Sequence, residues 1–243
     1  MDFTYTETQD MLRDTLARFL ADTYDFDKRR KMLASEAGYD AGIWRALATE
    51  LGIEVRKLDE AVNPYKNREG HLWRTLELDD GRVCPMRVYA PRVVRRATPL
   101  PLVIALHGAG ADENMFMTGY GAGALARLAE DRGFVAVSPS TLILGSDAEV
   151  FDRLVDDLSE DYRIDRSRVY VLGHSLGAVA TAGLASARPG AIAAAACIAG
   201  FRAIPADPAP APLLLVAAEL DKIFPLARLI EQSAALSERG VLE

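Results

Sequence analysis

"VYVLGHSLGAVATAGLASA", residues 169–187, decides the fold. Its opening is a short apolar run of strand character, and "LGAVATAGLASA" is an unbroken helical stretch of small and apolar residues. Between the two stands Gly173-His174-Ser175-Leu176-Gly177. A strand that passes straight into a helix through Gly-x-Ser-x-Gly makes a sharp, strained turn with its serine at the tip. The small flanking residues let the backbones pack closely. The helix N-terminus behind the serine favours negative charge developing there. The same residues also suit a plain strand-to-helix turn in which Ser175 is only a cap. The surroundings have to choose between nucleophile and cap.

Working outward, the flanks alternate strand and helix. "PLVIAL" (101–106) is a continuous apolar run, as expected of a strand buried on both faces. A helix is expected from about Gly121 to Arg132, ended by Gly133, and "FVAVS" (134–138) is the next strand. Ser146 and Glu149 have capping-box spacing at the head of an amphipathic helix carrying Phe151, Leu154, Val155 and Leu158. "AIAAAACIA" (191–199) and "PLLLVAA" (212–218) are further strands, and a last helix covers about Pro225 to Arg239. Upstream, "HLWRTLEL" and "RVCPMRVYA" alternate about Asp79-Asp80-Gly81, a hairpin signal. Such alternation implies a mostly parallel sheet with helices on both faces.

Residues 1–53 differ in character. Thr6 and Gln9 have capping-box spacing, and Leu12, Leu16, Phe19 and Leu20 fall on one helical face. Ile43, Trp44, Leu47 and Leu51 lie on a later helix that Gly52 stops. We therefore divide the chain into a helical segment, 1–53, and an α/β domain, 54–243.

Acyl transfer from an ester needs an oxyanion hole and a base as well as a nucleophile. One donor would be the Leu176 N–H, just after the serine. The other belongs on a loop after an upstream strand, where His107-Gly108-Ala109-Gly110 follows "LVIAL"; Ala109 N–H is the expected donor. His107 is read as a ring that shapes this loop by hydrogen-bonding backbone. The acid should follow a later strand, and "LLLVAAELDKIFP" puts Asp221 there, with Glu219 the weaker candidate. Asp221 also fits a plain surface carboxylate.

"LVIALHGAGADENMF", "DYRIDRSRVYVLGHSLGA" and "AAELDKIFP" together resemble the α/β-hydrolases, most of all the esterase and poly(3-hydroxybutyrate) depolymerase-like group. The resemblance runs from about residue 54 onward. It implies an α/β-hydrolase fold, Ser175 as nucleophile, Asp221 as acid, Ala109 and Leu176 as oxyanion donors, and an ester substrate, small or polymeric. "MDFTYTETQDMLRDTLARFLADTYDFDKRR" and "YDAGIWRALATELGI" are similar to the N-terminal helices of acyl-CoA dehydrogenases. Only that opening fragment of the family has a counterpart, so neither flavin nor any other cofactor is expected.

The order in this fold is serine, acid, histidine. The three histidines, His71, His107 and His174, all precede Ser175. The strand expected to carry the base would begin near "SERGVLE", so the domain reads as truncated, with an impaired site and an exposed sheet edge suited to self-association. The helical N-terminal segment is a second route to a homo-oligomer. A non-catalytic scaffold with a binding or assembly role is the alternative.

Composition closes off other classes. The chain of 243 residues is 50% hydrophobic and 26% charged with a net charge of −7. An acidic balance argues against nucleic acid, which selects basic surfaces. No stretch has the length of a membrane span, and the acidic N-terminus lacks the features of a signal peptide. Cys84 and Cys197 fit no metal or redox spacing and are read as buried free thiols. The expectation is a cytoplasmic protein without a metal.

Overall fold

The computed structural model describes residues 65–238 except 96–97 and 205–208, together with Lys31, Gly42, Ile43 and Asn63. The chain divides into two units, Met1–Pro64 and Tyr65–Glu243. Of the helices expected over 1–53, Lys31, Gly42 and Ile43 are helical, and the rest, with the Thr6 cap, lies outside the described residues.

Seven strands form one sheet: β1 (Gly70–Glu77), β2 (Val83–Ala90), β3 (Leu100–Leu106), β4 (Val135–Pro139), β5 (Ile164–His174), β6 (Ala194–Ile198) and β7 (Leu213–Val216). Their order is β1-β2-β4-β3-β5-β6-β7. The hairpin expected about Asp79-Asp80-Gly81 pairs β1 with β2 antiparallel, and β2 meets β4 antiparallel. The remaining neighbours are parallel. The helices are α1 (Ala124–Arg132), α2 (Thr141–Leu144), α3 (Ala148–Asp161), α4 (Leu176–Ala187) and α5 (Leu226–Ser237). A π-helical turn (Met115–Gly119) and a 3-10 turn (Tyr120–Ala122) precede α1. The 3-10 turn occupies the start of the stretch expected to be helical from Gly121.

Helices cover both faces. Adjacent residues of β4 show it: Val137 joins the core built with Phe151, Leu154 and Leu158 of α3, whereas Ala136 packs with Met117 and Ala129 of α1. Successive strand residues point to opposite faces, so α1 and α3 flank the sheet. The apolar run of β3 is explained by this sandwiching, with Leu102 and Ile104 fully buried. Each such side chain contributes about 1.5–3 kcal/mol relative to exposure.

One expectation is corrected. Ser146 does not cap α3; Asp147 does. The Asp147 carboxylate accepts the N–H groups of Glu149 (3.0 Å) and Val150 (3.2 Å). Ser146 Oγ instead donates to the Ala180 carbonyl at 3.3 Å. Asp147 holds the extended backbone that a cap requires, φ −75° and ψ 112°, so the helix begins one residue later than the Ser-x-x-Glu spacing implies.

The topology locates the site. From β3 the chain crosses to β4 on one side and later to β5 on the other, so the order reverses beside β3. In open α/β sheets the crevice lies outside the carboxyl ends of the strands at such a switch point. Leu106–Gly110 and Ser175 are the segments that leave β3 and β5 there.

Candidate active site

Ser175 is the single residue between β5 and α4. Its backbone sits at φ 54° and ψ −113°, in a region that costs a non-glycine residue about 1–3 kcal/mol. The turn is held on every side. The Ser175 N–H donates to the Ile198 carbonyl of β6 at 2.9 Å, and its carbonyl accepts from Ala178 (3.0 Å) and Val179 (3.1 Å). The flanking glycines are needed for close approach. A Cβ on Gly177 would clash with the Leu106 carbonyl at the end of β3, and one on Gly173 with the Gly177 carbonyl. The Gly-x-Ser-x-Gly spacing thus wedges α4 between two strand ends.

The loop after β3 reaches the same point. A Cβ placed on Gly108 would stand 3.4 Å from Ser175 Cβ and 3.0 Å from His174 Nδ1. Ala109 follows directly, in a turn closed by the Ala111 N–H donating to the Gly108 carbonyl at 3.2 Å. Among the described residues no acceptor takes the N–H of Ala109 or of Leu176. His107 shapes this loop. Its Nε2 accepts the Thr141 N–H at 3.0 Å, which leaves the proton on Nδ1 to be donated to the Gly108 carbonyl, also at 3.0 Å.

Asp221 lies in the loop after β7, at the same end of the sheet as Ser175 but two strands away. One of its carboxylate oxygens accepts the N–H groups of Ile223 (2.8 Å) and Phe224 (2.9 Å). Glu219 is exposed nearby. No described histidine hydrogen-bonds to Asp221 or to Ser175 Oγ. His174 turns to the Tyr120 hydroxyl, 3.4 Å from Nδ1, with the two rings edge to face at 5.5 Å. His71 is on β1, with three strands between it and β5, roughly 19 Å of sheet at about 4.8 Å per strand. Burial and the Arg87 guanidinium, 3.2 Å from its Nδ1, hold its imidazole below the usual value.

Neither cysteine competes for the role of nucleophile. Both are free and buried. Burial pushes the Cys84 thiol up to about 11 and the Cys197 thiol up to about 12, far from the thiolate that attack requires. Among the described residues no group of acidic, histidine or cysteine side chains could hold a metal ion, and no helix is long and apolar enough to cross a membrane.

Two features of the site escape sequence reading. Gly200, after β6, presses on the serine: a Cβ there would stand 2.5 Å from the Ser175 carbonyl oxygen and 3.0 Å from its Cα. Tyr120 holds His174 from a turn 54 residues away in sequence. A glycine ending a strand opposite the Gly-x-Ser-x-Gly turn was the available signal for Gly200. Tyr120 had none.

The profile of the alpha/beta hydrolase family matches residues 103–242, more than half of the chain. The bifunctional acetylxylan esterase/xylanase XynS20E of Neocallimastix patriciarum is 32% identical over 130 residues, which make up 50% of this chain and 17% of that protein. Among solved structures, a thermostable esterase aligns with a TM-score of 0.58 at 25% identity, over 71% of this chain and 53% of that one. S-formylglutathione hydrolase (FrmB) from Staphylococcus aureus aligns with a TM-score of 0.60 at 15% identity, over 75% and 90%, a likeness of fold alone. The chain thus spans a small part of the first relative and about half of the second. The profile match runs from within β3 through the Ser175 turn and past α5, and by it the chain belongs to the alpha/beta hydrolase family.

Proposed function

We propose that the protein is a serine hydrolase of carboxylic esters, acting through an acyl-enzyme on Ser175. The observation that carries this reading is the strained Ser175 backbone at the head of α4 with the Gly108 loop against its Cβ. Ser175 Oγ attacks the ester carbonyl and its proton passes to a base. The carbonyl oxygen, now negative, takes the free N–H groups of Leu176 and Ala109. Collapse expels the alcohol, which carries the proton away, and water then releases the acid by the reverse sequence. Asp221, with one oxygen committed to backbone, keeps the other to orient a histidine. The esterase relatives support the ester class. The resemblance to depolymerases extends it to polymeric esters, and the helical 1–53 segment is read as a unit without flavin.

No histidine among these 243 residues stands in the place of the base, so we infer weak turnover for the chain by itself. A site with its oxyanion hole and no base retains about 10³–10⁴ over water. The experiment is hydrolysis of an activated short-chain aryl ester. A slow rate is expected, little changed by His71→Ala or His174→Ala, because the residual comes from the oxyanion hole and binding. A C-terminal extension carrying a strand and a histidine beside β7 should raise kcat by about 10⁴–10⁶. Brisk turnover that His71→Ala, His107→Ala or His174→Ala abolishes would overturn the assignment of the base. In the extended protein, an undiminished rate in Ser175→Ala would overturn the nucleophile and favour the non-catalytic scaffold.

A further inference from the structure

We propose that a cavity on the β6–β7 flank of Ser175 receives the carboxylate-bearing end of an anionic ester, with Arg228 as the residue that reads the charge. The proposal rests on the ester-hydrolase reading of Ser175 and names the substrate class for that site. The cavity has a volume of about 170 Å³ and is lined by Phe201 and, from the loop after β7 and α5, by Ile223, Phe224, Pro225, Arg228, Leu229 and Gln232. At about 30 Å³ per water it has room for roughly six waters. That suits a fragment of a substrate rather than a drug-sized ligand.

Its walls are fixed by the residues read as catalytic. Phe201 follows Gly200, which packs against Ser175 Cα and its carbonyl. Ile223 and Phe224 are held by the Asp221 carboxylate through their N–H groups. The oxyanion loop leaves β3 on one flank of β5, and Phe201 and Phe224 follow β6 and β7 on the other. In this proposal an ester carbonyl over Ser175 with its oxygen toward Ala109 turns one substituent to the Gly200–Phe201 side, where the cavity begins. Aromatic and proline walls take the apolar part of that substituent. Arg228 and Gln232 are four residues apart on α5 and so share one helical face. Among the described residues the Arg228 guanidinium has no ion pair or hydrogen bond, so its planar fork is open to a carboxylate. Gln232 offers an amide N–H to the same group.

The test is direct binding to the full chain, followed by NMR titration, with monomethyl succinate and its neutral counterpart dimethyl succinate as probes. The anionic ester is expected to bind at least about tenfold tighter. Arg228→Gln should erase that preference, Arg228→Lys should keep part of it, and Gln232→Leu should weaken it. Lys222, an exposed cation next to Asp221 that does not line the cavity, is the control, and Lys222→Gln should leave the preference intact. The preference should also persist in Ser175→Ala, because binding does not need the nucleophile; a failure of Ser175 as nucleophile would appear only in the hydrolysis assay. Equal binding of the two probes would overturn the proposal. So would a preference that survives Arg228→Gln or vanishes with Lys222→Gln.

Discussion

At Gly177 two physical effects compete, and the structure says which wins. Gly177 is the second residue of α4, and in an open helix alanine is favoured over glycine by about 1 kcal/mol. Here a Cβ would meet the carbonyl oxygens of Leu106 and His107, which belong to the end of β3 and the loop that follows it. Backbone cannot swing aside as a flexible side chain can, so overpacking dominates. Gly177→Ala is expected to destabilise by about 3 kcal/mol, read as a lower denaturant midpoint with an unchanged slope. Gly190→Ala, where a Cβ meets nothing within 4 Å, is the matched control and should stay within about 0.5 kcal/mol. A stabilised Gly177→Ala protein would mean that α4 does not press on β3. The glycine pattern was legible in sequence because its spacing mirrors this contact. The partner carbonyls were not, since β3 lies some seventy residues upstream.

Among the elements, those bounded by strong local chemistry matched their expected ends, and those shaped by distant contacts did not. Helix α4 begins and ends where "LGAVATAGLASA" does, because a strained serine starts it. Helix α1 ends as expected at Gly133, yet begins only at Ala124. The residues just before it, Gly121 to Gly123, hold left-handed backbone (φ 58°, 50° and 79°) that an α-helix cannot contain, after a π-helical turn that buries Phe116 and Met117. The head of α3 shows the limits of a motif: Ser146-x-x-Glu149 fits the capping box, but the carboxylate one residue on satisfies two backbone donors at once. Asp147→Ala should therefore cost about 1 kcal/mol, a fall in Tm of about 2–4 °C for a domain of this size. Ser146→Ala should cost less than half as much. Thermal unfolding of the two variants side by side decides between the caps.

For the molecule as a whole, the two ends of the sheet are finished differently. At the β7 end, the last strand among the described residues, Leu214 is 62% exposed and Val216 is 41% exposed. The β1 end is fastened by buried charge. Arg74 of β1 projects inward, 2.9 Å from the Asp157 carboxylate of α3 and paired also with Asp161. Its guanidinium lies 4.5 Å over the Tyr65 ring, and the Asn67 N–H donates to the Asp161 carbonyl at 3.0 Å. Burial pushes the Asp157 carboxyl up, and Arg74 pulls the other way without overcoming it. A folded value above the unfolded one means that Asp157 contributes stability at pH below its ordinary range, and that this contribution is lost as pH rises through the folded value. The ionised carboxylate at neutral pH is thus a liability that Arg74 offsets. Arg74→Met removes the offset, raises Asp157 further and leaves the charge buried without its partner, at a cost of about 3–5 kcal/mol near pH 7. Toward pH 4, as Asp157 takes up its proton, the same substitution should cost clearly less. Adding Asp157→Asn to Arg74→Met should recover part of the loss at pH 7 and little at pH 4. Denaturant midpoints for wild type and both variants at the two pH values separate these terms, because the acid sensitivity of the rest of the protein cancels in each difference. A cost for Arg74→Met that is the same at both pH values would show that Arg74 holds the β1 edge by packing and not by its charge.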